Sequence, residues 1–293
     1  MVFYSYKIES MELEQIQAQM ELKEIAQEVR QAPTSSEIAR QKLVSPSAAT
    51  NSDGRYRKDQ SMKLSNLRSD AIFGAARAYA AQAALAWRYE QINELVLNKW
   101  AGALDKAASF RPFIEQEFIL IPSVHESTSD EQLKDGVLTR LDASFIVDEE
   151  AVIVTAAPTF RDYLVREFSA PADLHSALLP ASAAEQILWD KGSQEGWEIG
   201  VAQAEEVFND GFNEMEMDII GRVTYLKLKS LNMISDASLK MTSSGVTFNG
   251  RAMNVGEEIF TIDDIARYRT MTDWRTAWSV PSELVNTGGE GEQ

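Results

Sequence analysis

The sequence predicts an α+β fold in which long helices pack with a β-hairpin and a small C-terminal antiparallel sheet. Two helical stretches carry most of that prediction. Nine of the sixteen residues from Ala71 to Ala86 are alanine, the strongest helix former. Further on, Trp197, Val201, Ala204, Phe208, Phe212, Met215, Ile219, Val223 and Leu226 recur about every 3.6 residues, the α-helical period. The β part follows from short β-branched and aromatic runs around Asn249-Gly250, a pair that favours the tight turn of a hairpin. Composition divides the chain into an N-terminal helix and flexible linker (1–62), a single α+β domain (63–285) and a disordered tail (286–293).

From about Ile8 to Arg30 the chain is rich in Glu, Gln, Leu and Ile, with acids early and Arg30 late, as the helix dipole prefers. Its apolar residues Leu13, Ile16, Met20 and Ile25 form a thin stripe. The expectation is an exposed helix or one that depends on a partner for its order. Ser, Thr, Ala, Pro and Gly then dominate from Pro33 to Ser61, which reads as a linker or a long surface loop. Leu64 to Trp100 reads as one helix or two end to end, with Ser61 and Ser65 as capping candidates. Within it Leu85, Tyr89, Ile92, Val96 and Trp100 mark a buried face.

Pro112 and Pro122 interrupt the pattern, and His125 to Gly136 reads as a loop. Phe145-Ile146-Val147 and Ala151-Val152-Ile153-Val154 flank Asp148-Glu149-Glu150 and suggest a hairpin. A short helix is expected at Thr159–Glu167 and the longest at Ala183 to about Ile234. Leu239–Met241, Val246–Phe248, Ala252–Val255 and Glu258–Ile262 are strand candidates, ahead of the aromatic and arginine segment Tyr268–Trp278.

The 293 residues include 45 acidic and 28 basic side chains, two histidines and no cysteine, for a net charge of −17. Without cysteine there are no disulfides, thiol nucleophiles, iron–sulfur clusters or cysteine zinc sites. The negative charge opposes nucleic acid or anionic lipid as the main partner. Met1 to Ser10 carries one lysine and runs into Glu12 and Glu14, so no secretory signal is read there. The expectation is either a cytosolic chain or a form without its export segment.

Chemistry has few footholds. His125 and His175 lie in separate loops without metal-ligand spacing. Phosphate-binding glycine loops, dinucleotide fingerprints and the nucleophile elbow are missing. Glu149-Glu150, Glu205-Glu206 and Asp263-Asp264 are read as solvated charge. No catalytic, cofactor or metal site is expected. One sharper pattern remains: Gly192, Gly196, Gly200 and Ala204 recur every four residues on one helix. Each helical glycine costs about 1 kcal/mol relative to alanine, so a closely packed backbone must compensate. Ala71–Ala86 is the expected neighbour, a second chain the alternative. Trp197, beside the row, is expected in the core and is also suited to anchor a partner.

Leu67-Arg68 with the alanines that follow, Gln91-Ile92-Asn93, Arg161-Asp162-Tyr163-Leu164, Leu178-Leu179-Pro180, Glu185-Gln186, Trp189, Gly196-Trp197, Gly200, Gln203-Ala204, Phe208, Tyr225, Leu228 and Asn232-Met233 together resemble the DotC family. Its members are lipoproteins of type IVB secretion systems and of IncI-type conjugation machines, where the counterpart is called TraI. The resemblance runs from about Leu64 to Asp263. It implies a structural component of an outer-membrane core complex on the periplasmic face. Implied partners are a small DotD-like lipoprotein, a DotH-like channel subunit and further copies in a ring, with heterologous contacts between copies. The family's export signal and lipidated cysteine are not seen in this sequence, so membrane attachment is expected through partners or an anchor absent from the chain. A DNA relaxase that shares the name TraI needs a histidine-bound metal and belongs to an unrelated family. The rival readings are a cytosolic helical adaptor and, more remotely, a hydrolase using two carboxylates.

Overall fold

The computed structural model describes residues 17–31, 35–46, 66–128, 131–134, 137–140, 143–249 and 252–274. The fold is α+β. Its described elements run α1 (17–29), α2 (Ser36–Leu43), α3 (Asn66–Glu94) and α4 (Ala101–Ala107), then the strands β1 (Ile114–Glu115), β2 (Ile119–Leu120), β3 (Ser123–Thr128), β4 (Glu131–Lys134), β5 (Val137–Arg140), β6 (Ala143–Glu149) and β7 (Val152–Ile153). The elements α5 (Phe160–Leu164), α6 (Ala183–Ser230), β8 (Ser238–Asn249) and β9 (Ala252–Asp264) follow. The contacts group the described chain into two compact units, a helical one from 17–109 and 159–215 and a sheet-rich one from 110–158 and 216–274. Helix α6 contributes residues to both. The sequence reading drew the 63–285 segment as one domain.

In the helical unit Ile72, Ala76, Tyr79, Ala80, Ala83 and Ala84 of α3 share a core with Val44, Leu179, Trp189 and Trp197. Small side chains on α3 leave room for the two α6 indoles, whose N–H groups both find acceptors. Trp189 Nε1 donates to Val44 O at 3.0 Å and Trp197 Nε1 to Ser36 Oγ at 2.8 Å. Past Glu94 the helix loosens into a π-helical turn, Leu95–Lys99, before α4, a feature the apolar spacing did not announce.

Two expectations for the N-terminal region are corrected. Helix α1 is packed on its own chain, with Leu22, Ile25, Ala26 and Val29 at most 2% exposed, whereas Met20 is 62% exposed. The buried face joins Ile25 to Leu22, Ala26 and Val29, three residues the thin-stripe reading left out. Residues 36–43, read as linker, form α2, and the adjoining Val44 is buried. The proposed start of the first helix (8–16), residues 47–61, the caps Ser61 and Ser65, the turn at Gly250 and everything beyond residue 274 lie outside the described residues.

Arg88, 1% exposed, fastens α1 in place. Its Nη2 donates to Val29 O at 2.6 Å and Gln31 O at 3.2 Å, where helix-end carbonyls lack intrahelical donors, and pairs with Glu205 of α6 at 3.1 Å. Arg88→Met is expected to cost about 2 kcal/mol, below the full price of a broken buried pair because Glu205 stays 29% exposed. Limited proteolysis should then cut within 17–31 first, while residues 66–109 stay protected.

The sheet-rich unit overturns the predicted hairpin of Phe145–Val147 with Ala151–Val154. The two runs do not pair with each other. β6 pairs with β3, and β7 pairs with β2, which also pairs with β1. The segment read as a loop from His125 to Gly136 therefore carries strands, with β4 and β5 as an antiparallel pair. Arg222 of α6 lies where the two runs diverge. Buried at 2% exposure, it donates from Nη1 to Ile121 O and from Nη2 to Glu149 Oε2, each at 3.0 Å, and pairs with Asp218 at 3.0 Å. The turn between the two runs is thus anchored to a helix. At the C-terminus the four strand candidates merge into two long ones, β8 and β9. Their base packs Leu239 and Ile262 on Ile119, Ala151 and Ala237.

Candidate functional site: the helix seam and its locks

The glycine row of α6 faces α3. A methyl group on Gly192 would lie 2.6 Å from Phe73 O, on Gly196 2.1 Å from Arg77 O, and on Gly200 2.2 Å from Ala81 O. The contacted carbonyls advance by four residues in each step, in phase with the glycines, so two backbones run against each other along one seam. Ala204, next in the row, is fully buried. Gly74 and Gly102 meet nothing within 4 Å of such a methyl, so the close approach belongs to the row and not to glycine in general. Trp197 closes the seam with its ring 5.1 Å from that of Trp87 and is 4% exposed.

The start of α6 is locked to the start of α3. Ser182 Oγ accepts from Glu185 N at 3.3 Å while Glu185 Oε2 accepts from Ala181 N at 2.7 Å, a reciprocal N-terminal cap. Glu185 also takes a two-pronged bond from Arg68, Nε to Oε1 at 2.5 Å and Nη2 to Oε2 at 3.1 Å, with its own side chain fully buried. The Arg68 bond holds the Glu185 carboxyl below the ordinary glutamate range, and the same bond raises Arg68. A depressed folded-state value stabilises the protein fully above the ordinary value near 4.5 and loses that stabilisation as pH falls through the folded value. Glu185→Gln should therefore flatten the fall in thermal midpoint between about pH 5 and pH 3.

Arg161, Asp162, Tyr163 and Leu164 form most of α5. Asp162 completes a capping box with Thr159, its Oδ2 accepting from the Thr159 N–H at 2.7 Å. Arg161 pairs with Asp105 at 3.0 Å and lies 4.2 Å over the Phe160 ring. Tyr163 offers its carbonyl 2.4 Å from where a methyl on Gly211 would be, a further close approach to α6. Leu164 is fully buried, and its carbonyl accepts from the Tyr89 hydroxyl at 2.9 Å. Asn93 donates from Nδ2 to Arg166 O at 2.7 Å. Beside these contacts an open groove of about 890 Å³ is lined by Ile38, Leu43, Tyr79, Trp87, Asn93 and Phe168, among others.

In the other unit Asn232 and Met233 end α6. Asn232 has φ 58°, its N–H donates to Lys229 O at 2.9 Å, and Met233 N–H donates to Leu228 O at 2.9 Å. That is the Schellman arrangement, with asparagine tolerating the left-handed conformation and Met233 and Leu228 both buried. Asn232 Nδ2 also donates to Asp273 O at 2.6 Å.

The ten singled-out residues therefore fall in three places: the seam (Gly192, Gly196, Trp197, Gly200), α5 (Arg161, Asp162, Tyr163, Leu164) and the end of α6 (Asn232, Met233). They do not converge on one cleft. His125 sits on β3 against Asp148, and His175 Nδ1 accepts from Ala177 N at 3.2 Å, capping a short turn. Glu149 and Glu205, read as plain solvated charge, pair with Arg222 and Arg88. Sequence reading missed both arginines, because partners 73 and 117 residues apart leave no spacing to find. Among the described residues no group of His, Asp or Glu is placed to hold a metal ion. No described helix is long and apolar enough to cross a membrane.

A family profile described as type IV secretory system, conjugal DNA-protein transfer, matches residues 66–277. No curated protein matches the chain. The matched span contains the Arg68–Glu185 lock, the glycine seam, α5 and the end of α6. With most of its length in that match, the chain belongs to the TraI family of type IV secretion systems, which serves conjugal DNA-protein transfer.

Proposed function

We propose that the protein is a structural, non-catalytic component of the outer-membrane core complex of a type IVB secretion or conjugation machine. In this reading it sits at the periplasmic face of the outer membrane, beside a small DotD-like lipoprotein and further copies of itself in a ring. There it places and holds the DotH-like channel subunit. One observation carries the reading. Five polar side chains of the family pattern hold chain segments in place: Arg68 and Glu185 join two helix starts, Asp162 and Asn232 sit at helix ends, and Asn93 ties a loop to α3. Such residues maintain a shape, and a shape acts through what it binds.

Fractionation of cells lacking this chain tests the reading. The channel subunit is expected to leave the outer-membrane fraction and to return when the intact chain is restored. Unchanged recovery of the channel subunit at the outer membrane in the deleted cells contradicts it.

A further inference from the structure

The open groove of the helical unit runs along one stripe of α3. Tyr79, Ala83, Ala86, Trp87, Glu90 and Asn93 line it, so its floor is about 21 Å long, close to four helical turns. The rest of the lining comes from α2, with Ile38, Lys42 and Leu43, and from the segment 166–171, with Arg166, Glu167 and Phe168. The floor is buried, Tyr79 at 8% and Ala83 at 5% exposure, whereas Ile38 is 71%, Leu43 37% and Phe168 36% exposed. Helix α2 has no buried residue within its span. It is fastened to α6 by Arg40 Nη1, which donates to Ser193 Oγ at 3.2 Å, and by Ser36 Oγ, which accepts from Trp197. Ile38 and Lys42 take no part in that fastening.

We infer that this groove is the docking site for an amphipathic helix of a partner protein, one that carries both acidic and basic residues beside its apolar stripe. Backbone chemistry selects a helix. Every described strand lies within 114–153 or 238–264, so the groove offers no strand edge to pair with. An extended peptide laid against apolar walls would leave N–H and C=O groups unpaired, whereas a helix satisfies its own. Two alanines between the Tyr79 and Trp87 rings keep the floor low enough for a second helix to approach. Apolar residues at i, i+3 or i+4 and i+7 of that helix would fill about half of the floor's length. Charge selects what flanks them. Lys42 and Arg166 stand in the lining with Glu90 and Glu167, and none of the four has an ion-pair partner among the described residues. Arg166 Nη1 donates instead to the carbonyls of Asp162 and Val165. Anionic lipid would meet the two glutamates, and a purely apolar ligand would leave all four charges unmet. A helix bearing both signs pairs with them.

The search for the partner among machine subunits rests on the proposed function, and the test separates the two. A photo-reactive phenylalanine analogue replaces Ile38, and in parallel Ile187, which is 69% exposed on α6 outside the groove, in the full chain within cells carrying the whole machine. Position 38 is expected to cross-link to another machine subunit at least about tenfold more than position 187. The cross-linked peptide, identified by mass spectrometry, should carry the apolar stripe with acidic and basic residues beside it. Adducts with phospholipid, with this chain or a second copy, or at a peptide without that pattern overturn the inference, as does equal labelling at both positions. A matching peptide from a protein outside the machine leaves the docking site standing and contradicts the proposed function. No adduct at position 38, in a strain where deleting the chain still displaces the channel subunit, overturns the docking site alone. The double variant Ile38→Gln/Lys42→Gln changes two exposed residues to a good helix former and is expected to keep the wild-type thermal midpoint. Its affinity for a synthetic peptide spanning the cross-linked site, read by fluorescence anisotropy on the full chain, should fall at least about tenfold. Affinity equal to wild type overturns the docking site.

Discussion

Gly196→Ala is expected to destabilise the protein by about 2 kcal/mol and to lower the thermal midpoint by several degrees, while Gly74→Ala raises it slightly. The two substitutions are chemically identical and both lie in long helices, so helix propensity favours alanine at each by up to about 1 kcal/mol. What differs is the space. At Gly196 the new methyl would stand 2.1 Å from Arg77 O and 2.8 Å from Arg77 C, and both are backbone atoms of a neighbouring helix. No rotamer change relieves that clash, so α3 and α6 must separate along a seam where Gly192 and Gly200 make the same approach. The separation also loosens the core around Trp189 and Trp197. At Gly74 the methyl meets nothing within 4 Å, and only the propensity gain remains. Thermal unfolding of the pair checks this; equal midpoints would mean that the helices are not in backbone contact.

Arg68→Ala is expected to be the more damaging change, at about 3 kcal/mol or more. Removing the guanidinium leaves the Glu185 carboxylate with a fully buried side chain and no cation beside it. Desolvation is then opposed only by the backbone N–H groups of Ala181 and Ser182, so the carboxyl loses the largest cause of its depression and moves back up from its wild-type position. The acid response should weaken accordingly: the variant, already less stable at neutral pH, loses less further stability than the wild type as pH falls through the carboxyl range, because less depression of the folded-state value remains to be lost. The double variant Arg68→Met/Glu185→Gln should recover much of the loss, since a buried pair replaced by uncharged groups of similar size is often close to neutral. Thermal midpoints of the single and double variants across pH measure both effects.

What could be read from the sequence and what could not divide along a physical line. The glycine row was legible because a four-residue repeat of small side chains is costly in a helix and has few uses other than close packing. The long period of α6 was legible for the same local reason. The burial of α1 was not, because the stripe was drawn through Met20, which is exposed, and not through Leu22, Ala26 and Val29, which are buried with Ile25. β1, β2 and β7 are two residues each, too short for an alternation to show, and β2 pairs with β7 across more than 30 residues of sequence. The Arg68, Arg88 and Arg222 ion pairs likewise carry no spacing signal among 45 acidic residues. The turn-forming role of Asn232 could have been found, since asparagine directly after a helix commonly takes the left-handed conformation.

These observations describe a protein whose polar groups hold helix ends and neighbouring segments in place within each of its two units, in a family that serves conjugal transfer. The central claim is that it contributes geometry to an assembly. Detergent extraction of membranes carrying the machine, purification through a tag on this chain, and imaging of the particles addresses that claim most directly. The account predicts ring-shaped particles containing the chain together with the DotD-like and DotH-like subunits. Recovery of the chain alone, as a soluble species with no such particles, would contradict it.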